Sequence, residues 1–233
     1  MRQGVSNMSV HPTAAGSAEL VPRWRGLLHA YAFWLALAAA GCLVAFAPST
    51  DGRLASGIYG AALCALFAIS GLYHRWRWSP RWRPLLRRLD HSTIFIFIAA
   101  STTPIALLVL TSALQITVLL VVWIGALAGM TMSAAWRDAP RGLVALSYVA
   151  VGCAGAAGLP QIVARLSPQP LILLGVGCLL YVLGAAVYAT RRPNPWPRSF
   201  GFHEVFHALV IAAATSHFIA IAVWIIPNGR LSP

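Results

Sequence analysis

The sequence predicts an all-α integral membrane protein, a bundle of seven transmembrane helices with a cytoplasmic N-terminus and an extracytoplasmic C-terminus. Of the 233 residues, 59% are hydrophobic and only 9% are charged, and the mean hydropathy is +0.74. A soluble domain carries about 25% charged residues. The apolar residues also form seven runs of about 20 residues, the length that an α-helix needs to cross the hydrocarbon core. These observations exclude a soluble globular protein.

The seven runs follow a short polar segment. Residues 1–22 contain serine and proline without hydrophobic periodicity, so we expect a disordered cytoplasmic tail, and we expect residues 23–233 to form one membrane domain. The first run ends like a signal peptide, at Ala45-Phe46-Ala47, but exceeds the usual apolar length of about 7–15 residues. The predicted helices are Leu27–Ala47, Leu54–Tyr73, Ser92–Leu110, Leu114–Ser133, Leu143–Ala164, Leu171–Thr190 and His203–Ile226.

The distribution of arginine predicts the orientation. The net charge of +12 comes from 17 arginines and no lysine against five acidic residues. Fourteen arginines fall in the tail and in the loops after the second, fourth and sixth helices, whereas Arg53, Arg165 and Arg230 fall on the other side. Basic residues in short loops remain in the cytoplasm. Because the arginines lie beside apolar runs, where they meet lipid headgroups, we expect membrane lipids and not nucleic acid as partners.

Residue usage gives two further expectations. The four cysteines lie inside apolar runs without a CxxC pair, so we expect core residues and no disulfide: Cys42, Cys64, Cys153 and Cys178.

Arginine without lysine, together with abundant alanine, indicates a bacterial source of high genomic GC content. The expected location is therefore the plasma membrane, which the chain crosses several times.

Polar side chains at one end of the predicted bundle form the candidate site. His203 and His207 are one turn apart at the start of the seventh helix, so they share one helix face. The second helix runs inward and ends at His74, with Ser70 one turn earlier, and the third helix begins near Asp90. All five residues are therefore expected at one depth near the cytoplasmic face. Ionisable residues in membrane helices are rare and mark functional sites.

Three neutral imidazoles with one open position form the ligand set of a catalytic zinc site, in which water takes the fourth position. The predicted metal ligands are therefore His74, His203 and His207, and the predicted cofactor is Zn²⁺. Asp90 would hold and deprotonate the water, whose pKa zinc lowers to roughly 7. Ser70 would donate a hydrogen bond to a substrate carbonyl or to the ligand shell.

The remaining histidines are assigned other positions. His11 in the tail and His29 at the inner end of the first helix are expected to lie in headgroup water. His91 points about 100° away from Asp90 on an ideal helix, so it is a poor fourth ligand. His217 lies about 15 Å deeper than the histidine pair of its helix, which predicts a buried hydrogen-bonding or substrate-channel residue.

An alternative interpretation concerns the sequence HEVFH at residues 203–207. It matches the HExxH pattern of metalloproteases, in which Glu204 would be the general base. Against this hypothesis, the other acidic residue of the site, Asp90, is on a different helix. The third histidine also precedes the pattern by well over a hundred residues.

Three blocks of sequence resemble the signature motifs of the hemolysin III family. Residues 70–74 read SGLYH, residues 89–92 read LDHS and continue to Thr103 and Pro104, and residues 203–207 read HEVFH. That family belongs with the progestin and adiponectin receptors, seven-helix proteins similar also to alkaline ceramidases. The resemblance covers the chain from about Arg25 onward. It implies zinc bound by the three histidines named above, with the family's aspartate and serine at Asp90 and Ser70.

The resemblance implies a function of one of two classes. Adiponectin receptors are regarded as lipid amide hydrolases that act on ceramide, which favours a zinc-dependent hydrolase that cleaves an amide or ester bond of a lipid. Bacterial members take their name from haemolysis, so the competing hypothesis is a non-enzymatic haemolysin, a pore-forming protein or a receptor-like protein with structural zinc. Structural zinc sites usually have four protein ligands. Three histidines without an obvious fourth ligand favour the hydrolase.

Overall fold

The computed structural model describes residues 22–136 and 138–228. The predicted disordered tail, including His11, therefore lies outside the described residues except for its last position. Three of the arginines whose distribution predicts the orientation also lie outside the described residues: Arg2, Arg137 and Arg230.

Seven long helices, each apolar enough to cross a membrane, make up the described part of the chain, and no β-strand occurs in it. This confirms the predicted fold class. Each predicted run overlaps one helix. The helices are α1 (Leu27–Ala45), α2 (Thr50–Arg75), α3 (Arg83–Val109), α4 (Ser112–Ala135), α5 (Arg141–Arg165), α6 (Pro168–Thr190) and α7 (Phe202–Asn228).

The largest difference from the predicted boundaries is the start of α3. The helix begins at Arg83, and not at Ser92, with a proline in its first turn, where the missing N–H has no helical partner in any case. The apolar run marks the part of a helix that lies in hydrocarbon, whereas arginine and leucine also form helix outside it. As a result, Asp90 lies about two turns inside α3 and not at its first residue.

Two helices contain a short irregular turn. In α5, a 3₁₀ turn at Gly155–Gly158 separates Arg141–Ala154 from Leu159–Arg165. In α7, a π-helical turn at Ile221–Ile225 follows the regular part, Phe202–Ala220. Such turns in α-helices often occur at functional sites.

Small residues bring α1 and α2 into close contact. A Cβ at Gly71 would lie 3.2 Å from the backbone nitrogen of Ala30, and a Cβ at Gly60 would lie 2.7 Å from Ala40 Cβ. Close backbone approach of this kind favours helix association in membranes. The third helix is the most enclosed of the seven, with 67% of its apolar window buried, and it packs against α2, α4 and α5.

The orientation remains a prediction, which a reporter fusion tests. We expect alkaline phosphatase fused after Pro233 to be active, because the arginine distribution places this end outside and phosphatase folds only there. The same reporter inserted after Ser79, in the arginine-rich loop between α2 and α3, should be inactive and serves as the control. Activity at Ser79 together with inactivity at Pro233 would contradict the orientation.

Candidate metal centre

Three histidines from α2 and α7 meet at one end of the bundle. His203 Nε2 lies 3.1 Å from His74 Nε2 and 2.8 Å from His207 Nε2. The ligand atoms of all three residues lie within 4.8 Å of one another, so this histidine trio could hold a metal ion. Among the residues that the structure describes, no other group of three histidine, cysteine or acidic side chains has this geometry.

The chemistry of the donors narrows the class of metal. Each histidine offers an imidazole nitrogen. The three rings lie at one end of the apolar bundle, where His207 is buried and His74 and His203 are half-buried. Nitrogen donors suit first-row transition metals, zinc among them. Calcium and magnesium prefer cages of oxygen ligands. The histidine trio therefore fits a transition-metal ion.

Asp90 and Ser70 lie beside the histidine trio. Asp90 Oδ2 lies 3.5 Å from His74 Nε2, and Ser70 lies one helical turn before His74 on α2. Both residues are buried. The structure thus brings together all five residues that the sequence singled out, because α2 ends, and α3 and α7 begin, at the same end of the bundle.

The prediction that His29 lies in headgroup water is wrong. The residue is 2% exposed, and its ring contacts the His207 ring, with centroids 3.9 Å apart and an angle of 33° between the ring planes. Phe67 contacts the His29 ring from α2, with centroids 5.1 Å apart. A sequence signal for this position exists, since His29 precedes the buried residues Ala32 and Ala36 by three and seven residues on one face of α1.

The segment before α1 packs directly on the histidine trio. Gly26 has a φ of +72°, and a Cβ there would lie 2.7 Å from His74 Cβ, so this position requires glycine. Arg25 Nε lies 3.5 Å from His74 Nδ1, and Arg25 Nη1 lies 4.0 Å from Glu204 Oε1. Neither contact was apparent from the sequence, because the arginine and its partners are separated by 49 residues or more.

Glu204 has a structural partner at the start of α7. Its Oε2 accepts a hydrogen bond of 2.8 Å from the backbone N–H of Gly201, which is the half of a capping box that the acidic side chain of the first turn makes. The carboxylate therefore caps the helix that bears His203 and His207. This contact favours a capping role over the general-base role of the HExxH hypothesis.

His91 and His217 lie outside the histidine trio, as predicted. The His91 ring faces Tyr188, with centroids 6.5 Å apart. His217 is buried, and its Nε2 lies 3.1 Å from the backbone oxygen of Leu174, which confirms the expected buried hydrogen bond. A side chain at Gly177 would overlap the His217 ring, so this glycine provides the space for it.

An apolar cavity of about 570 Å³ extends from the histidine trio along the bundle. Asp90 and His203 line one end, and Leu110 and Ile162 line the other. Asp90 and Leu110 are twenty residues apart along α3, which corresponds to about 30 Å. The cavity therefore spans a depth close to that of the hydrocarbon core of a bilayer.

The wall of the cavity that α5 and α6 form is partly exposed. Leu159 on α5 and Val182 on α6 line it and are also 52% and 48% exposed. The 3₁₀ turn of α5 lies in the same wall, where Gly155 has no side chain and Ala156 has a small one. Only 28% and 22% of the apolar windows of α5 and α6 are buried, so we expect this wall to face lipid and to form a side opening between the cavity and the bilayer interior.

Comparison with known proteins agrees with this architecture. The family model described as haemolysin-III related matches residues 19–218. The chain is 25% identical to Hemolysin-3 of Bacillus cereus over 172 residues, which cover 74% of this chain and 75% of the relative. It is 26% identical to the Hemolysin-3 homolog of Bacillus subtilis (strain 168) over 175 residues, or 75% of this chain and 79% of the relative.

A third relative matches over a shorter stretch. The heptahelical transmembrane protein ADIPOR1 of Oryza sativa subsp. japonica is 37% identical over 110 residues, which cover 43% of this chain and 28% of the relative. Together with the seven membrane helices and the ordered motifs at their ends, the family match over residues 19–218 shows that this chain belongs to the haemolysin-III-related family of multi-pass membrane proteins.

Proposed function

We propose that the protein is a zinc-dependent hydrolase that cleaves an amide or ester bond of a membrane lipid. The observation that carries this proposal is the position of the histidine trio at the end of a long apolar cavity. A purely structural metal site has no use for such a cavity. Three protein ligands also match a catalytic zinc site, which keeps one position for water or substrate.

The side chains around the histidine trio have separate roles in the proposed reaction. When bound, zinc supplies polarisation of a carbonyl group and a lowered pKa of water. Asp90, whose Oδ2 is 3.5 Å from His74 Nε2, would accept a proton from the attacking water as the general base. Ser70, which lines the cavity together with Asp90, would donate a hydrogen bond to the substrate carbonyl or to the ligand shell. The Asp90 carboxyl then returns the proton to the leaving nitrogen or oxygen.

The cavity accounts for the choice of a lipid as the substrate. Its walls are apolar along most of their length, so they accommodate a hydrocarbon chain while the polar group stays at the histidine trio. The side opening between α5 and α6 admits such a chain from the bilayer. An apolar pocket with a few polar groups at one end is the usual arrangement of a ligand site.

A second candidate function follows from the short distance between Asp90 and His74. A carboxylate oxygen 3.5 Å from a ligand nitrogen is near enough to become a fourth metal ligand after a small rotation. The site would then be closed, as in structural zinc sites. This arrangement would fit a receptor-like protein, or a cytolytic role of the kind that the name Hemolysin-3 gives to the Bacillus cereus relative.

Lipid turnover by the purified full-length protein tests the proposal. The protein, purified without chelator, is incubated with N-acyl sphingoid bases and glycerophospholipids, and mass spectrometry follows the released fatty acid. We expect release that a chelator abolishes and added zinc restores. Zinc-loaded protein that releases no fatty acid from either lipid class would contradict the hydrolase and favour the structural site.

A further inference from the structure

The loop between α2 and α3 and the first turns of α3 form a basic and aromatic surface. Residues 75–88 contain six arginines and three tryptophans and no acidic residue. Arg75, Arg77, Arg81 and Arg83 are exposed. Neither of the two ion pairs described above involves these four side chains. We call residues 75–88 the Arg–Trp segment.

The tryptophans place the Arg–Trp segment at the level of lipid headgroups. Trp76 and Trp82 are 66% and 52% exposed, and the Arg81 guanidinium lies 6.0 Å from the centre of the Trp82 ring. Tryptophan is enriched at membrane interfaces, where its ring contacts acyl chains and its N–H remains near water. Trp78 Nε1 donates a hydrogen bond of 3.1 Å to Leu72 O, which fixes the loop to the last turns of α2.

We propose that the Arg–Trp segment is a binding surface for anionic phospholipid headgroups, which are phosphodiesters without a compensating amine, as in phosphatidylglycerol. A guanidinium group matches phosphate oxygens in two parallel hydrogen bonds, and exposed arginines beside a membrane helix attract anionic lipid. Exposed tryptophans on both sides of the arginines would hold the loop against the acyl chains of the same lipid. This inference does not depend on the proposed hydrolase activity.

The Arg–Trp segment lies close to the candidate metal centre in the fold. It connects α2, which carries His74, to α3, which carries Asp90, so a headgroup held here lies at the same end of the bundle as the histidine trio. The loop between α6 and α7 is at that end too, but its three arginines, Arg191, Arg192 and Arg198, are interspersed with three prolines. It therefore provides a matched control of equal charge.

Native mass spectrometry of the full-length protein in detergent tests the surface. Phosphatidylglycerol is titrated against phosphatidylcholine of the same chain length, and bound copies are counted. We expect the Arg77→Gln/Arg81→Gln/Arg83→Gln variant to bind phosphatidylglycerol about a hundredfold more weakly, since each arginine contributes about fivefold. Binding of phosphatidylcholine should change little. The Arg191→Gln/Arg192→Gln/Arg198→Gln variant loses the same charge and should retain most of the affinity for phosphatidylglycerol.

Two results would overturn the proposal. One is equal loss of phosphatidylglycerol binding in both triple variants, which would show a general charge effect and no localised surface. The other is equal affinity of the wild-type protein for the two lipids. If the triple variant of the Arg–Trp segment does not fold, the single variant Arg77→Gln should still show about a fivefold loss. Raised salt should also weaken wild-type binding of phosphatidylglycerol but not of phosphatidylcholine.

Discussion

We expect replacement of Asp90 with asparagine to lower the proposed lipid hydrolysis by about 10²–10⁴-fold, the usual contribution of a general base, and to leave the zinc content near that of the wild type. Asparagine keeps the size of the side chain and can still accept hydrogen bonds through its amide oxygen, so the fold should be little affected. It cannot take up the proton from water. The measurements are fatty acid release by mass spectrometry and metal content by elemental analysis of the same preparation.

The matched control for this variant is Asp138→Asn, which removes an exposed carboxylate outside the described helices and should change neither quantity. Zinc loss together with loss of thermal stability in Asp90→Asn would identify Asp90 as a fourth ligand and the site as closed. Full hydrolysis with full zinc content would show that Asp90 is not the base.

We expect replacement of His207 with alanine to remove most of the zinc that copurifies with the protein. His207 is one of the three predicted nitrogen ligands. Mutation of a residue that only hydrogen-bonds to a metal ligand already lowers the metal affinity by about 10–100-fold. We therefore expect a loss of zinc affinity of at least this size, measured on protein purified without chelator. Hydrolysis should fall with the metal content, in contrast to the Asp90→Asn variant, in which the two quantities separate.

The control for His207→Ala is His217→Ala on the same helix. His217 is also buried, but its hydrogen bond goes to Leu174 O and it lies outside the histidine trio, so this variant should keep its zinc. Metal-free wild-type protein, or equal zinc loss in both variants, would contradict the assignment of the metal centre to the histidine trio.

Most of the fold could be predicted from the sequence because the membrane imposes a length and a polarity on each helix. The apolar runs give the number of helices, and the ends of the second, third and seventh runs bring His74, Asp90 and His203 to one depth. The start of α3 could not be obtained in this way. Its first two turns are amphipathic and basic, and a hydropathy run does not extend into them.

Contacts between segments that are distant in the chain could not be predicted from the sequence either. His29 was misplaced because its position at the predicted end of a helix was given more weight than its place on the buried face of α1, and the sequence does not show the contact with the His207 ring. The contacts of Arg25 with His74 and Glu204 join three segments whose relative rotation only the structure gives. The same holds for the cavity, which is formed by the spacing of α3, α5, α6 and α7.

In the proposed reaction, entry of the lipid through the side opening between α5 and α6 determines how the substrate concentration must be counted. A lipid that enters through this opening comes from the two-dimensional solution of the bilayer, and the aqueous concentration of that lipid is irrelevant to the occupancy of the cavity. Occupancy therefore follows the mole fraction of the substrate among the surrounding lipids. Adding an inert lipid at a constant amount of substrate dilutes the surface and slows turnover, whereas adding buffer leaves the rate per protein molecule unchanged.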